Sequence, residues 1–221
     1  LKKSHRPDRP KLPHSHRRPA NRFSPAVTGS NPQLQDPEMT GLPEIIAGPN
    51  RYLMSLLRDG DVDIVIGRMG AISEMTGLTF EHLYSEKVCF VVRPSHPLLK
   101  KEIFNQADMQ NFEFLLPTQY SVIRHAVERL LIIASLNRVK VAAETVSTAF
   151  GRAYTRSIDV ILVISKGVVL EDMTDATQVA LPIQTPETLG PSGITRRADG
   201  VIPTNAEMLI KELSAVAAKF M

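Results

Sequence analysis

A chain of 221 residues with a single cysteine, Cys89, has no disulfide framework to staple it, and a lone thiol inside an apolar run fits a small buried strand residue in a reducing compartment. No apolar stretch approaches the roughly 18 to 20 residues that span a bilayer. The first thirty residues also lack the apolar core of a signal peptide. These absences lead to the expectation of a soluble, cytoplasmic chain with no membrane partner. Catalytic and cofactor signatures are missing as well. Gly48, Gly60 and Gly67 do not open a helix after a strand at dinucleotide spacing. No Gly-x-Ser-x-Gly elbow occurs, and local sequence places no histidine to activate Cys89. Asp59, Asp61 and Asp63 alternate as in a calcium loop, but Ile64 stands where the loop needs glycine and no glutamate follows at the twelfth position. His82, His96 and His125 have no metal-ligand spacing. The expectation is a protein that is not an enzyme and holds neither cofactor nor metal.

Charge excludes a further class. The formal net charge of +3 is unevenly spread: residues 1–35 hold eight Lys or Arg against one acid, which leaves 18 basic and 22 acidic residues in the rest, net −4. The body is mildly acidic, so a basic groove for nucleic-acid phosphates is not supported there. Residues 1–43 carry eight prolines and three histidines with no stretch of helical or strand period. Such a segment buries too little surface to offset its ordering entropy. It is expected to be an atypical Pro/Arg-rich stretch, disordered or misassigned.

What is present begins at Glu44. Leu53, Leu56 and Leu57 recur at helical spacing, and Val62, Ile64, Val65 and Ile66 form a β-branched run directly afterwards. A helix therefore ends at Gly60 and a buried strand follows at once. A tight helix-to-strand junction with a strand apolar on both faces belongs to a parallel sheet covered by helices. In such sheets ligands sit beyond the carboxyl ends of the strands, here at Gly67, Arg68 and Met69.

The remaining pattern alternates. Asn50 is placed to cap the first helix, which runs to Arg58, and residues 83–93 read as one long strand stopped by Pro94 and Pro97. Residues 112–116 read as a strand ended by Pro117. Ser121 is placed to cap a helix over 122–135, with Val122, Ala126, Leu130, Ile133 and Leu136 on one face. Strands over 139–143, 160–164 and 178–183, a helix over 146–155, a short helical turn over 168–172 and an extended segment over 190–197 continue the series. A final helix starts with Pro203 in its first turn and ends near Phe220. Small hydroxyl residues gather where chains cross, at 118–121 after a strand and at 145–148 opening a helix. Free backbone N–H groups assisted by hydroxyls suit a carboxylate or a sugar hydroxyl, although ordinary helix capping accounts for them equally well.

Taken in order, the Gly-Asp-x-Asp of residues 60–63, the His96-Pro97-Leu98 ending, residues 114–117 and Ala180-Leu181-Pro182 resemble the effector-binding domain of LysR-type transcriptional regulators. Residues 144–152 and 164–169 further resemble the branch with the protocatechuate-pathway activator and the galactose-binding-protein regulator. The resemblance covers about residues 44–221. It implies an α/β fold of two Rossmann-like subdomains joined by crossing strands, as in type 2 periplasmic binding proteins. Residues 44–117 with 195–221 would form subdomain I, and residues 118–194 subdomain II.

By matching position, the resemblance implies a cleft lined by Arg68, Met69, Thr118, Gln119, Ser147, Thr148, Phe150, Gly193 and Ile194. Arg68 would pair with an inducer carboxylate, and Ser147 and Thr148 would donate hydroxyl hydrogen bonds. The implied partners are a small-molecule inducer, an aromatic-pathway acid or a sugar, and a second copy in a homodimer or tetramer. DNA is implied only through a winged helix-turn-helix domain absent from this stretch. Residues 1–43 depart from the family's first strand and helix, which puts a central strand and a ligand-binding Ser or Thr in doubt. The alternative reading is a solute-binding protein of a transport system.

Overall fold

The computed structural model describes residues 25–27, 43–136 and 138–217. Two sheets organise them. The first has four strands in the order β1-β2-β9-β3, namely β1 (Pro25–Val27), β2 (Ile64–Arg68), β9 (Gly190–Arg197) and β3 (Leu78–Glu86). The second has five in the order β6-β5-β7-β4-β8, namely β6 (Lys140–Glu144), β5 (Glu113–Leu116), β7 (Val160–Ser165), β4 (Val88–Val92) and β8 (Val179–Ala180). β5 runs parallel to both β6 and β7, and β4 runs antiparallel to β7.

Helices cover both faces of each sheet, as an apolar strand period requires. On the first sheet, helix α1 (Asn50–Asp59) packs Leu53, Met54 and Leu57 on Val62 and Val65, and helix α5 (Thr204–Ala217) packs Ala206 and Leu209 on Ile64, Leu83 and Ile194. On the second, alternate side chains divide between two cores. Phe90, Phe114, Ile161 and Val163 meet Val127, Leu130 and Leu131 of helix α2 (Arg124–Ile133). Val91, Leu115 and Leu162 face Tyr154 of helix α3 (Thr148–Ser157) and Met173 of helix α4 (Leu170–Thr174). The Phe90 and Phe114 rings meet edge to face at 6.5 Å, the geometry their quadrupoles favour.

Gly60 ends α1 as the sequence indicates: its φ of 77° is left-handed, and its N–H closes the helix on Leu57 O, a conformation glycine adopts without Cβ strain. Three expectations about single elements change. Asn50 does not cap α1: Pro49 stands at that position and Asn50 is the first helical residue. Ser121 does not cap α2: it lies in a preceding turn, its N–H donating to Thr118 O, and Ile123 precedes the helix. The long strand over 83–93 is two strands, because the chain leaves the first sheet after Glu86 and enters the second at Val88.

That crossing also moves the boundary between the two lobes. β4 and β5, expected in subdomain I, pair within the second sheet, and β9 from Gly190 pairs within the first. The crossings therefore lie at Lys87 and around Leu189, not at 117/118 and 194/195. The stretch 1–43, expected to hold no regular element, contributes β1, which pairs in parallel with β2. Pro25, lacking an N–H, takes the first place of that strand, where a ladder donor is least needed. The expectations for the rest of residues 1–42 and for Phe220 lie outside the described residues.

Candidate functional site

Strand direction builds the site. β5, β6 and β7 are parallel, so their carboxyl ends lie together, and Thr145 N–H donates to Leu116 O at 2.9 Å where two of them end. Pro117, Thr118 and Gln119 thus leave the sheet beside the turn that carries residues 145–148. At the same end of β7, Lys166 N–H donates to Lys87 O at 2.8 Å, which sets these strand ends against the crossing. From the other lobe, Arg68 at the carboxyl end of β2 donates to Glu86 O at 3.4 Å and to Thr188 O, one carbonyl beside each crossing. The carboxyl ends of the two sheets therefore face each other across the crossing strands.

Helix α1 runs into β2, so its first turn points to the same side. There Pro49, Arg51, Tyr52 and Ser55 of the first lobe and Tyr120 of the second line a shallow, open hollow of about 440 Å³. Tyr52 and Tyr120 are 49 % and 70 % exposed. Arg124 holds the second wall: it donates to Pro117 O at 2.8 Å and to Glu144 at 2.7 Å, tying the exits of β5 and β6, and it also pairs with Glu128 at 2.7 Å. Its guanidinium is held above its ordinary pKa by the hydrogen bond to Glu128 and, beyond that, by Glu144.

The expected lining residues divide. Thr118 is half-buried and Gln119 exposed at the end of β5. Ser147 caps α3, its hydroxyl oxygen accepting from Phe150 N–H at 3.2 Å, and its own N–H donates to the Thr145 hydroxyl at 2.9 Å. Thr148 opens the helix beside it. Phe150, 44 % exposed, stacks on Tyr154 at 5.3 Å. These five lie on the second lobe, after the carboxyl ends of the adjacent strands β5 and β6, and Arg68 and Met69 stand on the first. Met69 N–H donates to Pro191 O at 3.0 Å, which extends the β2–β9 pairing.

Gly193 and Ile194 do not line a cleft. Both lie inside β9 between β2 and β3, and the Ile194 side chain is fully buried beneath α5. Arg68 is more engaged than the sequence indicates. Burial pushes its guanidinium below its ordinary pKa while Glu86 opposes that shift. Nothing in the sequence marks Arg51, Tyr52, Ser55 or Arg124 as part of this wall. Tyr120 directly follows the Thr118-Gln119 pair, which is its one local signal. The thiol of half-buried Cys89 donates to Ile164 O at 3.6 Å, and burial pushes its pKa up to about 12.

Residues 43–218 match the family model described as the LysR substrate binding domain. The chain is 47 % identical over 163 residues to the HTH-type transcriptional regulator PcaQ of Agrobacterium fabrum, covering 73 % of this chain and 52 % of that protein. It thus spans about half the length of the curated relative it matches. Among solved structures, the effector-binding domain of QuiR in complex with shikimate superposes with a TM-score of 0.68 at 12 % identity, covering 90 % of this chain and 96 % of that one. The regulatory domain of Synechocystis CcmR in complex with 2-PG gives 0.69 at 14 %, covering 89 % and 96 %. At those identities the two structures establish the fold.

Proposed function

Because this chain belongs to the family of LysR substrate-binding domains, we propose that it is the inducer-sensing part of a cytoplasmic transcriptional regulator of catabolic genes. It binds a small metabolite between its lobes without turning it over. The observation that carries this reading is the facing of the two sets of strand ends, with the hollow between Tyr52 and Tyr120 at their margin. The inducer contacts are assigned to Met69, Thr118, Gln119, Ser147, Thr148 and Phe150, with the two tyrosines closing over the ligand. Hydroxyls at a helix start suit a carboxylate or a sugar. Binding then favours one lobe arrangement over another, and a separate winged helix-turn-helix domain carries that change to DNA. PcaQ is a transcriptional regulator by name, which favours this reading over a transport solute-binding protein.

A second copy of the chain is the natural partner of the edge strand β6, where Val141 is 46 % exposed, and of the end of α2, where Ile132 and Ile133 are 64 % and 62 % exposed. Lysine in place of Ile132 then shifts the species seen by light scattering toward the monomer. The inducer site is tested by thermal shift against shikimate, muconates and hexoses. A ligand present at about 100 times its Kd adds about 2.7 kcal/mol, and Thr148→Ala and Tyr120→Ala abolish the gain. A binder whose stabilisation survives both substitutions refutes the assigned pocket.

A further inference from the structure

The two lobes are joined at their crossings by a charged side chain that accepts from both. Glu86, the last residue of β3, takes a hydrogen bond on Oε1 from the Ser192 hydroxyl of β9 at 3.0 Å. On Oε2 it takes one at 3.0 Å from the N–H of Gly167, which follows β7 in the other lobe. Arg68 reaches over from β2 and donates to a carbonyl beside each crossing, at Glu86 and at Thr188. The crossings are also tied to each other: Val88 N–H donates to the Thr188 hydroxyl at 2.9 Å, and the Thr185 hydroxyl donates to Val88 O at 2.5 Å.

Two glycines make room for these charged groups. A Cβ at Gly167 would stand 2.7 Å from the Glu86 carboxylate, and one at Gly190 would overlap the Arg68 guanidinium. We infer that Glu86 is an inter-lobe latch, which fixes the relative orientation of the lobes while Arg68 holds the two crossing strands side by side as the hinge.

The reason is geometric. One carboxylate reaches Ser192 and Gly167 together at a single lobe orientation, because a rotation about the crossings carries Gly167 with the second sheet and Ser192 with the first. Charge-assisted bonds to a half-buried carboxylate are strong enough to matter and weak enough to open. Arg68 on this reading is a positioning residue, and the latch depends on the two-lobed fold and not on which metabolite binds. A ligand screen that fails therefore leaves it standing.

The test places spin labels on cysteines introduced at Glu171 of α4 and Glu207 of α5, both exposed and one in each lobe. Cys89, which is partly buried, is replaced by Ala (Cys89→Ala) in every labelled chain, and labelled chain is diluted with unlabelled chain so that distances within one molecule are read by double electron–electron resonance. The full chain with no further substitution gives one dominant distance. Glu86→Ala and Gly167→Ala raise the population at other distances about tenfold, equivalent to about 1.4 kcal/mol. Ser192→Ala, which deletes one hydroxyl, raises it less. Far-UV circular dichroism reports folding, and if Glu86→Ala does not fold, the Gly167 and Ser192 variants decide. Folded variants whose distance distributions match the parent overturn the latch.

Discussion

Replacing Arg124 by methionine isolates the contribution of one side chain to the wall of the candidate site. The guanidinium is 13 % exposed and serves three acceptors from three places in the chain: Pro117 O, Glu144 and Glu128. The bond to the Pro117 carbonyl, charged donor to neutral acceptor and half-buried, contributes about 1.5 kcal/mol. The two carboxylates are 37 % and 47 % exposed, so water screens each pair to about 0.5 kcal/mol. Against this, Arg124 is the first residue of α2, where a cation opposes the helix dipole and its removal returns about 0.5 kcal/mol. The net loss is about 2 kcal/mol, or about 4–8 °C in Tm at this chain size. Chemical denaturation with the midpoint falling at unchanged slope reads it. Arg124→Lys keeps the charge but not the fork, and recovers less than half. A methionine variant that melts with the parent refutes the claim that Arg124 holds the exits of β5 and β6, because the Pro117 carbonyl then loses nothing by losing its donor.

Three further outcomes follow from the same contacts. His96 is fully buried, its Nδ1 accepting from Leu98 N–H at 3.2 Å, and burial lowers its pKa from the ordinary histidine value, with Asp159 opposing and Arg93 adding to the shift. The unfolded chain therefore binds the extra proton first. Stability present above about pH 6.5 falls as the medium is acidified, and His96→Asn, which keeps an acceptor for Leu98, flattens the slope between pH 6.5 and 5. Parallel urea midpoints for the two proteins across that range would contradict it. Cys89 reacts more slowly with maleimide at pH 8 in the native protein than in guanidinium, since its thiol pKa of about 12 and its partial burial both withhold the thiolate. Mass spectrometry showing equal rates would count against the placement of β4. Gly193→Ala drives a Cβ onto the Glu81 carbonyl, a backbone atom that cannot swing aside, so a loss of about 3 kcal/mol is expected in urea unfolding. An unchanged midpoint would exclude the β3–β9 register around His82.

The α1–β2 junction was readable because the change of period and the left-handed Gly60 are both local events. The division of residues 83–93 was not. Ser85, Glu86 and Lys87 interrupt the apolar pattern before Val88, but polar residues within an alternating strand are ordinary, and an apolar run does not state which sheet it joins. The same limit affects α2. Val122, Ala126 and Ile133 have helical spacing with Leu130, yet the buried stripe is Val127, Leu130 and Leu131, and Ile133 is 62 % exposed. Two overlapping stripes satisfy one period in a helix this apolar, and packing against Phe90 and Phe114 chooses between them.

At the candidate site, what was legible is the position of strand ends. Arg68 and Met69 are placed by the carboxyl end of a strand that the sequence pattern itself marks, whereas Thr118 and Gln119 enter as cleft lining through the family resemblance; the structure puts both pairs directly after strand ends. Gly193 and Ile194 were assigned by matching position within a strand, where the neighbours are two other strands and a helix, and nothing in the local sequence separates an interior place from a margin. Tyr52 and Tyr120 escape for the opposite reason. They are 68 positions apart on separate lobes, and their pairing exists only once the crossings at Lys87 and Leu189 have set one lobe over the other. The proposed latch between the lobes, Glu86, looks from sequence like the polar end of an edge strand. Its role appears only with Ser192 and Gly167, 106 and 81 residues away, brought to the same carboxylate. A hinge is thus the part of such a fold least visible in sequence, because each of its contacts is long-range and none needs a residue type that stands out from an ordinary surface.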